Sequence, residues 1–283
     1  MAKIVDWLFE TGAIRVSPAE QPFWYTSGLI GPYYVNTHFL IGSEDAANGL
    51  LALIDGTRED PLACTMQVRD FLRQQYKKSP IFKLVTDEIV ETIQRIYKVD
   101  ELDCISGGER RDWFFSLLPA EHLDKPHLTI FKDQQVVLAA GEEVSPCTSA
   151  SDNQVLHISD LITEAASYLR AWIPALTRLG ATMRGTITVV DRCQGGTASL
   201  AEAQVPMTAL VQVDVHLFNE AAARGYLTQA QLELVTNYLA DPYQSMRQFL
   251  VANPDFLKQA LAGDKRTAER AQRMLDEDLY NLR

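Results

Sequence analysis

Nothing in the 283-residue chain approaches the apolar length of a membrane span. Cysteine is scarce: Cys64, Cys104, Cys147 and Cys193 are scattered and form no C-x-x-C pair. That spacing excludes a small disulfide-stapled fold and a cysteine-based zinc site, and points to reduced thiols. The histidines, His38, His122, His127, His157 and His216, show no metal-ligand spacing either. Positive charge is in short supply, with 26 Lys and Arg against 37 Asp and Glu, a net charge of −11. Such a balance argues against general nucleic-acid binding. Small anionic ligands stay open, because local basic residues decide those sites. Residues 1–12 lack the basic start and apolar run of a signal peptide, so a cytoplasmic location is expected. What is present is an ordinary 47% hydrophobic fraction, enough for one large domain or one domain with an appendage.

Periodicity organises the rest. Ile4, Val5, Leu8 and Phe9 give a first amphipathic helix, which Gly12 stops. Residues 23–36 are aromatic and punctuated at Ser27-Gly28 and Gly31-Pro32, which reads as short strands and turns. Ser43 caps a helix to about Gly56, and two more helices are expected over 61–77 and 80–99. Strands then alternate with helices. Strands are expected over 102–106, 127–131, 155–158, 186–190 and 208–213, with 136–139 as a hairpin partner. A helix over 164–179 ends at Gly180. This rhythm predicts an α/β fold, a mainly parallel twisted sheet with helices on both faces. Ligands of such sheets sit at the carboxyl ends of the strands. After Val215 the pattern is helical only, over 228–240, 242–251, 255–262 and 265–281, with Asp-Pro, Asn-Pro and Gly-Asp breaks.

Two strand ends carry the candidate chemistry. Leu156–Ser167 has the outline of a phosphate-cradling strand, loop and helix start, where free N–H groups attract anions. A cradle favours glycine where backbone meets ligand, yet Ala165 and Ala166 stand there, beside the carboxylate of Glu164. Two like charges about 4 Å apart cost about 1 kcal/mol in water and about 4 at an effective dielectric of 20. The second strand end, Gly107-Gly108-Glu109-Arg110-Arg111-Asp112, offers glycines and two guanidinium forks suited to phosphate oxygens. Each loop also has a plain alternative, an ordinary strand–turn–helix with solvated charges.

Together with Gly12-Ala13-Ile14-Arg15, the aromatic run Phe23–Asn36 and Val189-Val190-Asp191-Arg192-Cys193-Gln194-Gly195-Gly196, these segments resemble orotate phosphoribosyltransferases. The resemblance covers about residues 1–215, interrupted by an extra segment near 57–100. It implies a type I phosphoribosyltransferase fold over 1–219, with a helical insertion at about 57–100; the helical extension over 220–283 is read from the periodicity alone.

The resemblance also implies a reaction: transfer of ribose 5-phosphate from phosphoribosyl pyrophosphate (PRPP) to a pyrimidine-type base. Mg2+ would be carried by PRPP, with no resident metal. Expected partners are an anionic small molecule (PRPP, orotate or a related nucleotide) and a second copy of the chain. By position, Gly107, Gly108, Arg110, Arg111, Asp160, Thr163 and Ser167 would hold PRPP. Lys132 and Asp160 would be catalytic, and Tyr33, Tyr34 and Arg192 would hold the base. Several positions depart from the family pattern. Ser159 replaces an acid beside Asp160, and Thr26 and Leu29 replace a Lys and an Arg. Phe131 and Gln135 stand where basic residues of a mobile loop are expected. Two functions fit: a divergent transferase, or a non-catalytic nucleotide- or anion-binding or regulatory protein on the same fold.

Overall fold

The protein is described from a computed structural model covering residues 2–282. Between helix α1 (Ala2–Glu10) and helix α2 (Glu44–Thr57) lie four short strands: β1 (Ile14–Val16), β2 (Phe23–Trp24), β3 (Ile30–Gly31) and β4 (Tyr33–Val35). Helices α3 (Pro61–Lys78) and α4 (Pro80–Ile96) follow, close to their expected bounds. Each starts on proline and is capped by the residue before it. Asp60 accepts the Ala63 N–H and Ser79 that of Phe82, so orphan donors of the first turn are satisfied.

The main sheet is built from β5 (Cys104–Gly108), β6 (His127–Ile130), β7 (Val136–Ala140), β8 (Glu143–Pro146), β9 (Gln154–Ile162), β10 (Thr182–Asp191) and β11 (Met207–Gln212). Its order is β11-β10-β9-β5-β6-β7-β8. The pairs from β11 to β6 are parallel, and β7 and β8 add an antiparallel edge. Residues 155–159 are buried without a break, as are 185–191 of β10. Such runs mark strands covered on both faces. Helix α5 (Trp113–His122) packs across β5, β6 and β9, and α6 (Ile173–Arg178) packs on β10. Helix α7 (Gly196–Glu202) joins β10 to β11. This is the mainly parallel α/β architecture that the periodicity predicts, with helical additions.

Two bounds differ from the expected ones in ways that matter. Strand β9 runs four residues past Ile158, to Ile162, and the chain after it turns helical only at Ala166. The new helix opens with a π turn at Tyr168–Trp172, where the Ile173 N–H reaches back to the Tyr168 carbonyl. The segment Phe131–Gln135 is a tight hairpin turn between β6 and β7, closed by the Phe131 N–H on the Gln135 carbonyl at 2.9 Å.

The chain divides into two compact units. One comprises residues up to Ala13 with Asn36–Val213, the other Ile14–Val35 with the chain from Asp214 onward. The second holds β1 to β4 and helices α8 (Val215–Ala223), α9 (Gln229–Ala240), α10 (Pro242–Ala252), α11 (Pro254–Leu261) and α12 (Lys265–Asp276). Its aromatic strands make a core with these helices. Trp24 stacks on Phe256 at 5.5 Å, and Tyr33 meets Phe218 and Tyr238. Tyr280 binds the Ile30 N–H at 3.0 Å, and Arg270 donates to the Trp24 carbonyl at 2.6 Å. The C-terminal helices therefore pack with residues 14–35.

Candidate functional site

Parallel pairing of β5 with β9, with Ser106 opposite His157, brings the carboxyl ends of these strands side by side. The turns leaving them enclose a cavity of about 330 Å3. From the β5 side it is lined by Glu109, Arg110, Arg111 and Asp112. From the β9 side come Asp160, Thr163, Ala165, Ala166 and Ser167, with Tyr168 and Trp172 behind.

Gly107 and Gly108 lie beneath this lining. A Cβ on Gly107 would overlap the Ser116 side chain, and one on Gly108 would overlap the Trp172 indole. Trp113 adds a second clamp, its indole N–H donating to the Gly107 carbonyl at 3.1 Å. Gly108 thus lets the Trp172 indole, and Gly107 the Ser116 side chain, close on the backbone of β5. The Glu109–Arg110 peptide is cis. Arg110 pairs with Asp55 of α2 at 2.8 Å, and Arg111 lies close enough to Asp160 to favour its ionised form. Burial, reinforced by Arg111 and Arg110, pulls the His38 imidazole down to about 4.

The floor of the cavity is a carboxyl pair. Asp112 accepts the Asp160 N–H at 3.0 Å and the Gly108 N–H at 3.2 Å, which sets its carboxyl beside Asp160. Two neighbouring buried carboxyls resist ionising together. Burial pushes Asp112 up to about 7, against the donors that favour its charge. Burial and then the Asp112 charge push Asp160 well above the usual carboxylate range. Beneath the pair, His157 faces Asp112 with Nε2 at 3.5 Å and holds Ser106 through Nδ1 at 2.9 Å. Its burial brings it down to about 3, so the ring is neutral.

Ser159, where the family pattern has an acid, is buried and accepts the Tyr168 hydroxyl at 2.6 Å. The same hydroxyl lies 2.9 Å from Thr186 Oγ1. Ala165 has φ +62°, the left-handed region that favours glycine. Glu164 is exposed and absent from the cavity lining. The charge clash expected from sequence is thereby reduced toward its solvent value, because Ala165 turns the chain and leaves the preceding side chain outside. Glu164 also stands before the helix rather than in its first turn.

Of the residues singled out from sequence, Arg110, Arg111, Asp160, Thr163 and Ser167 line this one cavity. Gly107 and Gly108 shape its β5 wall. Lys132 does not line it; its side chain is exposed on the hairpin turn, and its N–H donates to Glu109 at 2.7 Å. Phe131 is buried against Trp113 at 4.7 Å. Arg192 follows β10, its backbone N–H bound to the Ile162 carbonyl and its Nε buried without a hydrogen-bond partner. Tyr33 and Tyr34 belong to the second unit, where Tyr33 is buried and the Tyr34 hydroxyl donates to the Trp24 carbonyl at 2.8 Å. Asp112 and Trp172 were not singled out. An acid just before an apolar helix reads as a cap, yet Asp112 makes no side-chain cap bond to α5.

No family model and no curated protein sequence matches this chain. Solved structures do. The UMP synthase of Leishmania donovani matches at TM-score 0.56 and 17% identity, over 84% of this chain and 42% of that protein. This chain therefore spans less than half the length of that relative. The orotate phosphoribosyltransferase of Francisella tularensis matches at TM-score 0.52 and 15% identity, over 83% of this chain and 96% of that one. The chain has the type I phosphoribosyltransferase fold, similar to that of orotate phosphoribosyltransferases.

Proposed function

We propose that this protein binds a phosphorylated ribose, PRPP or a nucleotide derived from it, in the cavity between the ends of β5 and β9. The observation that carries this is the convergence of Arg110, Arg111, three acids and the hydroxyl residues Thr163 and Ser167 on one side-chain-lined hollow. Arg110 and Arg111 would take the diphosphate through bidentate forks, and Thr163, Ser167 and the helix start at Ala166 would take the 5′-phosphate. Asp160 would meet the ribose hydroxyls. Among the described residues no group of three or more His, Cys, Asp or Glu side chains is placed to hold a metal ion. Mg2+ would accordingly enter on the diphosphate, where it neutralises leaving-group charge.

Phosphoribosyl transfer to a pyrimidine-type base is the reaction this site would serve, and it would be slow or absent. Lys132 lies outside the cavity lining, on a five-residue hairpin turn, and Tyr33 is engaged in a core. Both observations favour a binding or regulatory protein over an efficient transferase. Assembly as a homodimer belongs to the same reading. Calorimetry with PRPP and magnesium tests binding, and absence of heat at millimolar ligand would sink the proposal. Orotate turnover at about 1 per second or faster would overturn its slow-transfer half. A monomer mass by light scattering would remove the dimer.

A further inference from the structure

Asp112 has no role in the proposal above, yet it bonds the ends of both strands that frame the cavity. Its two oxygens take the backbone amides of Gly108, at the end of β5, and Asp160, at the end of β9. The unpartnered Nε2 of the fully buried His157 lies 3.5 Å from the Asp112 carboxyl. We propose that Asp112 is the positioning residue of this cavity: it ties the two strand ends together and shares one proton with the neighbouring Asp160, so that the cavity accepts a dianionic group. This inference rests on the reading of the cavity as a phosphate site.

The charge count sets the direction of the effect. Arg110 and Arg111 bring two positive charges, Glu109 lines the cavity with them, and Asp55 pairs with Arg110 at 2.8 Å. With one proton on the pair, these six groups sum to one negative charge; without it they sum to two, which weakens anion binding. Tyr168, from the π turn, and the imidazoles His157, His127 and His38 complete the titratable surroundings. Burial holds the three rings at about 3, about 3 and about 4, and raises the Tyr168 phenol. None of these four changes charge near neutrality, which leaves the carboxyl pair as the group that does.

Sulfate keeps its charge through this range and is the probe. In the full chain, sulfate affinity should fall roughly tenfold between about pH 5.5 and about pH 8.5. In Asp112→Asn, which keeps the shape and removes one charge, the affinity should be flat and should exceed the parent's at the alkaline end. Carboxyl-carbon NMR of the unliganded parent should show a coupled pair that retains one proton near neutrality. In the variant, the Asp160 titration should move down. An unchanged pH slope in Asp112→Asn, two carboxyls titrating independently near about pH 4, or no sulfate binding at any pH would each overturn the proposal. If the variant does not fold, the parent's NMR titration and sulfate slope decide alone. Sulfate binding with the expected slope, but no binding of ribose 5-phosphate, would leave Asp112 its role and remove the ribose reading.

Discussion

The two turns that make the cavity solve the same problem with opposite materials. At the end of β5, glycines lie under Ser116 and Trp172, so the backbone is gripped while Arg110 and Arg111 face the hollow. At the end of β9, alanines occupy the turn, one of them in the left-handed region, and hydroxyls rather than cations face the same hollow. Glycine in the first turn is a packing requirement. Its absence in the second costs conformational energy and leaves a methyl group toward the ligand. Loop identity is therefore a poor guide to function here unless the backbone angle and the neighbour of each residue are known.

Replacing Gly108 with Ala should break the comparison most severely. The methyl meets the Trp172 ring, and a loss of about 3 kcal/mol in denaturant unfolding is expected. A loss below about 0.5 kcal/mol would show that the indole moves aside freely.

The acid between the turns gives the next largest effect. Asp112 is raised in the fold, so the native state holds more protons than the unfolded chain between about pH 4 and about pH 7. Its contribution is lost as pH rises through that window. Asp112→Asn should gain on the parent by up to about 1.4 kcal/mol per pH unit there. The buried His38, His127 and His157 are lowered and act with the opposite sign, but they cancel when variant and parent are compared at each pH. A difference independent of pH would place the proton elsewhere.

Arg110→Ala with Arg111→Ala should cut PRPP affinity tenfold to a hundredfold, about 1.4 to 2.8 kcal/mol, and leave the fold intact. Unchanged calorimetric affinity would move the anion to the β9 turn alone.

The smallest effects separate neighbours in that second turn. Ala165→Gly should stabilise by about 0.5 to 1 kcal/mol, because the left-handed strain is relieved. Ala166→Gly, at the start of the helix, should cost up to about 1 kcal/mol. Glu164→Thr should change phosphate affinity less than about threefold, the solvent-screened limit for an exposed charge. A larger gain would mean that Glu164 faces the ligand after all.

These particulars show where sequence ends. The strand–helix alternation and the two helices expected over 61–77 and 80–99 were legible because periodicity and proline act locally. The Gly107–Asp112 turn was legible because strand ends of a parallel sheet converge. Three things were not. The direction of Glu164 depends on one backbone angle at Ala165, and alanine gives no sign of a left-handed turn. Asp112 turns away from the helix it precedes to meet Asp160, 48 residues on, through a β5–β9 register that no local pattern encodes. The aromatic run 23–36 reads equally as a base platform or a core, and its partners lie over 180 residues away in the C-terminal helices.

The grip on β5 has an optical consequence. Trp113 is bonded to the Gly107 carbonyl and Trp172 lies over Gly108, so two of the four indoles bracket the Gly107–Gly108 peptide that leads to the arginines. A ligand that pulls on those arginines should change the polarity and packing around these rings. Their emission is then the expected indicator of occupancy, with Trp172 at the cavity wall. With Trp7 and Trp24 replaced by Phe, emission would follow occupancy without a dye, a label or a turnover assay.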